Sequence, residues 1–226
     1  MSGLKHTDAQ PMLSLERLRY WTNVAGGDAE FGLTLHHRNS LIAGILHADL
    51  MLLEVSLRNA FDALLQDKFK LRYWPDLPEL VRTPAMKTAR SRAQTMSGKG
   101  RPIRHDKLMV NLNLSFWVEL FGRKKFRKIL AGAFKTGDIA KIKRDLDHLK
   151  DLRNDIAHHE PIIDRDGRRR AENLREDLDL IHGVVGNLNQ KVGDWLKVSS
   201  SIKKLVDSGF VSCDRLKEHE AKIYIP

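Results

Sequence analysis

Cysteine is almost missing from this chain of 226 residues. The lone Cys213 excludes an intrachain disulfide and a CxxC metal site, which fits a reducing cytosol. Long apolar runs are missing too. The richest, Leu41 to Val55, is interrupted by His47, Asp49 and Glu54, so no unbroken membrane span is expected. Met1 to Leu13 lacks the apolar core of a signal peptide. No segment sustains the period-two alternation of a strand, and no internal repeat of fixed period occurs. HExxH, the phosphate-cradling GxxxxGKS/T loop and GxGxxG are absent, leaving metalloprotease, nucleoside-triphosphate and dinucleotide chemistry without a motif. A serine or cysteine nucleophile with its own base is not visible either. The expectation is a soluble, cytoplasmic, all-α protein with no cofactor, no metal and no membrane contact.

Basic residues are plentiful. Lys and Arg outnumber Asp and Glu by 39 to 29, and the net charge of +10 favours an anionic partner, nucleic acid above acidic lipid. Charge supplies affinity, and chemistry must come from elsewhere. The length allows one large domain or two small ones, and a single helical domain over residues 13–200 is the expected arrangement. It would follow a disordered tail at 1–12 and precede an extension at 201–226.

Ser14 caps a predicted short helix that stops at Gly26-Gly27. Asp28 caps the next through about His37, with Ser40 restarting it or continuing it into a helix from Leu41 to Phe69. That helix is apolar around most of its circumference, as a central helix should be. Glu54 projects between Phe61 and Leu65, and a buried carboxylate needs a cation, for which Arg153 or Arg58 is the partner. A basic insertion follows at about 82–105. Between Glu79 and Asp106 stand Arg82, Lys87, Arg90, Arg92, Lys99, Arg101 and Arg104 with no acid among them. Such a run is either a solvated surface or a contact with phosphates, and Arg90, Arg92, Lys99, Arg101 and Arg104 are the candidate RNA-binding residues. Further helices are expected over His105–Phe121, Arg123–Phe134 and Ala171–Val198, with Phe116, Trp117, Phe121 and Trp195 in the core, and KIYIP as a strand or extended arm.

The stretch from Leu146 to Ile163, LDHLKDLRNDIAHHEPII, organises the rest. Ile142, Leu146, Leu149, Leu152 and Ile156 fall three and four apart and form one stripe of a helix that Glu160-Pro161 should end. Arg153 falls inside that stripe, and a guanidinium cannot shed its charge, so it must meet an anion or hydrogen-bonding groups. Asn154 and His158 are four apart and share a neighbouring face. The adjacent pairs His36-His37 and His158-His159 point about 100° apart on a helix, so neither presents two ligands to one metal ion.

RNDIAH, followed directly by HEPI, resembles the Rx4-6H signature of the HEPN superfamily, and specifically the Abi-like (abortive infection) family of bacterial proteins. LEVSLRN at 53–59 resembles that family's N-terminal helix motif, and LNLSFWVELF at 112–121 its middle one, in matching order and spacing over roughly residues 13–200. The resemblance implies an all-helical HEPN bundle, usually a homodimer, in which Arg and His of both protomers share a cleft. It implies a metal-independent ribonuclease tied to phage defence or toxin–antitoxin behaviour, with an antitoxin or regulatory RNA as a possible partner. Arg153 and His158 then become the catalytic pair and Asn154 the residue that orients them. Glu54, Arg58 and Asn59, together with His159, support the site.

The chemistry of these residues fits that implication. Metal-free RNA cleavage needs an acceptor for the 2′-hydroxyl proton, a donor for the leaving 5′-oxygen and positive charge on the phosphorane. Histidine exchanges protons near neutral pH, and arginine offers a planar fork that matches phosphate oxygens. Because the motif supplies one histidine per copy, two-fold symmetry would provide separate acid and base. The plainer alternatives are that Arg153 ties two helices together through Glu54 with His158-His159 as a helix-end cap, or that the protein is a non-catalytic RNA-binding dimer.

Overall fold

The computed structural model describes residues 6–70, 73–98, 100–162, 168–201 and 204, and all the regular structure among them is helical. The all-α class is as expected. The sequence reading placed one domain over 13–200, whereas the described residues gather into two compact units. One draws on Met1–Asp49, Leu152–Leu180 and Val198–Pro226, the other on Leu50–Asp151 and Ile181–Lys197. Four helices pass from one unit to the other without a break, so no linker composition marks the boundary.

The first unit begins with α1 (His6–Leu13), which occupies residues expected to lack structure. Ala9 on α1 is buried, and that packing outweighs the polar composition of the segment. Ser14 takes a left-handed φ of 61° and its Oγ accepts the Arg17 N–H at 3.4 Å, starting α2 (Leu15–Val24). Helix α2 closes at Gly26, φ 69°, with Gly27 N–H donating back to Thr22 O at 2.9 Å. Asp28 Oδ1 then accepts the Phe31 N–H at 3.0 Å and opens α3 (Ala29–Lys68), a continuous helix of 40 residues. Ser40 does not restart it: its hydroxyl donates to His36 O at 3.1 Å, the bond serine makes inside a helix. Near the middle of α3, Asp49 Oδ2 accepts the buried Ser200 hydroxyl at 2.5 Å. One 18-residue window of α3 is long and apolar enough to cross a membrane, a test that the core helix of a water-soluble protein also passes.

The second unit has an aromatic centre. Phe61 of α3 stacks on Phe121 at 5.7 Å and meets Trp117 and Phe134 edge-on, while Trp74 stacks on Phe116 at 6.4 Å. Each such pair adds about 0.5–1.5 kcal/mol beyond burial, more than the roughly 0–1 kcal/mol of an exposed pair such as Lys125–Glu79. The aromatic centre therefore holds this unit. Around it run α4 (Pro78–Val81), α5 (Pro84–Ser97), α6 (His105–Met109), α7 (Leu114–Gly122) and α8 (Lys124–Leu130). The single helix expected over 105–121 is broken into α6 and α7, because Asn113 Oδ1 caps α7 by accepting the Phe116 N–H at 3.1 Å. Asp62 gathers polar groups at the unit's edge: Trp74 Nε1 donates to it at 2.8 Å, and the His105 ring stands between its Oδ2 and Tyr73 Oη, 2.8 Å from each. Burial pushes the Tyr73 phenol up to about 12.

Helix α9 (Ile139–Ala157) buries Ile142, Leu146, Leu149, Leu152 and Ile156, the stripe read from the sequence. The long helix expected over 171–198 is two, α10 (Arg168–Leu188) and α11 (Gln190–Ser199), with Asn189 Oδ1 accepting the Val192 N–H at 3.3 Å between them. Trp195, expected in the core, is 59% exposed, because α11 buries the face of Gly193 and Leu196 instead. A side chain at Gly193 would stand 2.7 Å from Gly186 N, so only glycine permits this approach. Residues 1–5, 71–72 and 163–167, most of the 201–226 extension including KIYIP, and Lys99 lie outside the described residues.

Gly193→Ala should lower stability by about 1–3 kcal/mol through overpacking. Gly183→Ala, on the open side of α10, should raise it by about 0.4–1 kcal/mol. Urea unfolding of both variants checks the contrast, and equal midpoints would contradict the α10–α11 approach.

Candidate functional site

The geometry of the site starts from how α9 stops. The residue before Pro161 was expected to end the helix, but the last helical residue is Ala157 and the terminator is His159, with a left-handed φ of 59°. Glu160 N–H donates to Asp155 O at 2.8 Å and His159 N–H to Ile156 O at 3.1 Å, the paired bonds of a Schellman turn. A left-handed non-glycine residue costs about 1–2 kcal/mol, which the two satisfied carbonyls and the docking of the next segment offset. That docking is done by Asn39, buried on α3. Its Oδ1 accepts the Ile162 N–H at 2.8 Å and its amide donates to Glu160 O at 3.5 Å. The turn is thereby pinned to α3.

Within the first unit these elements enclose a cleft of about 580 Å³. Arg17 comes from α2, His36, Asn39, Ser40 and His47 from α3, Arg153 and Ile156 from α9, and His159 from the turn. Two guanidiniums and three imidazoles line it, and among the described residues no carboxylate does. A site of this composition attracts an anion and offers it both hydrogen bonds and exchangeable protons. Nδ1 of His47 is buried with no hydrogen-bond partner among the described residues. Arg17 and His159 also border an adjoining groove of about 430 Å³ that contains Tyr20, 41% exposed, and Trp21.

Electrostatics separate His36 from the rest. Burial, then the positive field of Arg17, His37 and His159, lowers its pKa from the ordinary 6.5. Its ring is half-buried and meets Trp21 edge-on at 6.0 Å. His37, the next residue, is exposed, as the 100° step between adjacent helical positions requires.

The sequence-derived candidates distribute unevenly. Arg153 and His159 line the cleft, with Asn154 half-buried on the same turn of α9 as Arg153. His158 is exposed and is not a lining residue, although its neighbours Ala157 and His159 both are. Glu54, Arg58 and Asn59 belong to the second unit, where Glu54 and Arg58 are half-buried and Arg58 Nε donates to Asn59 Oδ1 at 3.5 Å. In the basic insertion, Arg90 is committed to Asp76 at 2.5 Å and to Pro75 O at 3.0 Å. Arg104 grips Asp106 at 2.9 Å and holds that carboxyl below its usual range. Arg92 and Arg101 project into solvent. Among the described residues no group of three His, Cys, Asp or Glu is placed to hold a metal ion.

Sequence reasoning did not find Arg17, His36, Asn39 or His47. The three on α3 shared one signal, a run of polar residues on an otherwise apolar helix. No family model, characterised protein or solved structure matches this chain.

The lowered pKa of His36 makes a prediction for stability. The folded state prefers the neutral ring, so as pH falls through 6.5 the unfolded chain takes up the proton first and stability declines, levelling once the folded-state value is passed. Thermal melts between about pH 7.5 and 5 should show a steeper loss for the natural protein than for His36→Gln; parallel slopes would contradict this.

Proposed function

We propose that the protein is a metal-independent endoribonuclease of HEPN type, acting in the cytosol on single-stranded or looped RNA. The observation that carries the reading is the cleft in which Arg153 of the R-N-x-x-x-H motif stands with Arg17 and a set of imidazoles. Arginine forks suit the non-bridging oxygens of a phosphodiester and the charge that grows on them as the 2′-oxygen attacks. His158, exposed at the end of α9, is the group that returns a proton to the leaving 5′-oxygen, and its exposure lets it recharge from water. The products are a 2′,3′-cyclic phosphate and a 5′-hydroxyl. Tyr20 in the adjoining groove offers a ring on which an unpaired base can stack, a contact that only single strands and loops allow.

The wider role follows the motif resemblance: bacterial phage defence or a toxin–antitoxin pair, as a homodimer, with an antitoxin or regulatory RNA restraining the activity. The second reading is a non-catalytic RNA-binding dimer. It is favoured by His158 standing outside the lining of the cleft.

Arg153→Ala should reduce cleavage of mixed-sequence single-stranded RNA about 10²–10³-fold, and His158→Ala about 10²–10⁴-fold with fold and RNA affinity kept. EDTA should leave the rate unchanged. Retained RNA binding with no cleavage by the natural protein would select the second reading. In salt titrations of RNA binding, neutralising Arg92 and Arg101 together should flatten the slope by about 1.4, since each phosphate contact contributes about 0.7 for single strands. Neutralising Arg90 and Arg104, already committed to Asp76 and Asp106, should change it less.

A further inference from the structure

The motif supplies one histidine per chain, whereas cleavage by 2′-hydroxyl attack needs a base and an acid. We propose that His36 of α3 is the general base of the RNA-cleavage reaction, so that base and acid are different histidines of one chain, His36 within the cleft and His158 beside it. This rests on the ribonuclease reading above.

Three observations point to His36. It lines the cleft together with Arg17 and Arg153, so a phosphate held by those guanidiniums brings the neighbouring ribose to its ring. The charged, titratable and aromatic groups that act on it are the Arg17 guanidinium and Trp21 from α2, His37 from its own helix and His159 from the turn after α9. Among the described lining residues no carboxylate holds the ring as imidazolium, and burial, then the field of Arg17 and the neighbouring histidines, favours the unprotonated ring. An imidazole neutral at physiological pH beside fixed positive charge is what the first step requires. His47 presents a buried Nδ1 and is walled in on that side, while His159 is exposed and held by its backbone turn.

The step balances without a metal or co-reactant. A ring nitrogen of His36 takes the 2′-hydroxyl proton, the 2′-oxygen bonds to phosphorus, and the bond from phosphorus to the 5′-oxygen breaks. His158 gives its proton to that oxygen. His36 leaves the step protonated and His158 neutral, and exchange with water resets both.

The test is the pH dependence of kcat/KM on fluorescently labelled mixed-sequence single-stranded RNA, for the natural protein and for His36→Gln, His36→Ala and His158→Ala, with folding checked by circular dichroism. The natural protein should give a bell whose acidic limb lies below pH 6.5. His36→Gln should lose at least about 100-fold and the acidic limb with it, while keeping RNA affinity; His158→Ala should lose the basic limb. Added imidazole should restore part of the activity of His36→Ala, which no structural role would permit. A His36→Gln enzyme of natural rate, or one that is slow with an unaltered pH profile, overturns the assignment and leaves the ribonuclease reading standing. Absence of cleavage by the natural protein removes that reading and this inference together.

Discussion

The left-handed turn at His159 is the constraint on which the candidate site depends. A helix must end with its last carbonyls satisfied, and here the Asp155 and Ile156 oxygens are satisfied by a chain that reverses at once and runs back under Asn39. Had α9 run on to Glu160, the HHEP segment would continue along the helix axis, and no imidazole would be turned toward α3. The backbone cost of one non-glycine residue at positive φ is small beside what it positions. It brings the motif arginine, a motif-flanking histidine and the polar side of α3 into one enclosure.

That enclosure is chemically one-sided. Glycine, alanine and isoleucine form its walls, and the ionisable groups among its described lining residues are arginines and histidines. A concentration of basic groups raises the local attraction for anions, whatever else each of them contacts. The basic insertion in the second unit makes a different contribution. Two of its arginines are tied to local carboxylates, and the rest of its charge is spread over solvent-facing positions where it can lend affinity without selecting a reaction.

Much was legible in the chain. The stripe from Ile142 to Ile156, the caps at Ser14 and Asp28, the stop at Gly26-Gly27 and the aromatic core of Phe116, Trp117 and Phe121 all follow from short-range pattern. Errors arose where one side-chain hydrogen bond outweighed periodicity. Asn113 and Asn189 each cut an apparently continuous helix in two, because an asparagine that accepts a backbone N–H starts a new helix as readily as it sits within one. Trp195 went to the surface because its helix turns Gly193 and Leu196 inward, and a hydrophobic pattern cannot tell which of two adjacent faces a neighbour will cover.

Sequence by itself determined the helical class, since local hydrogen bonding and a spacing of three and four are written into consecutive residues. It also singled out Arg153, whose place within an apolar stripe is visible without coordinates. Tertiary structure decided the company Arg153 keeps. Arg17 lies on α2, His36 and His47 on α3 and His159 in the turn after α9, as far as 142 positions apart in number, and nothing in local chemistry relates the three elements. Only packing of α2, α3 and the end of α9 brings them together, and packing is a property of surfaces that form after the helices do.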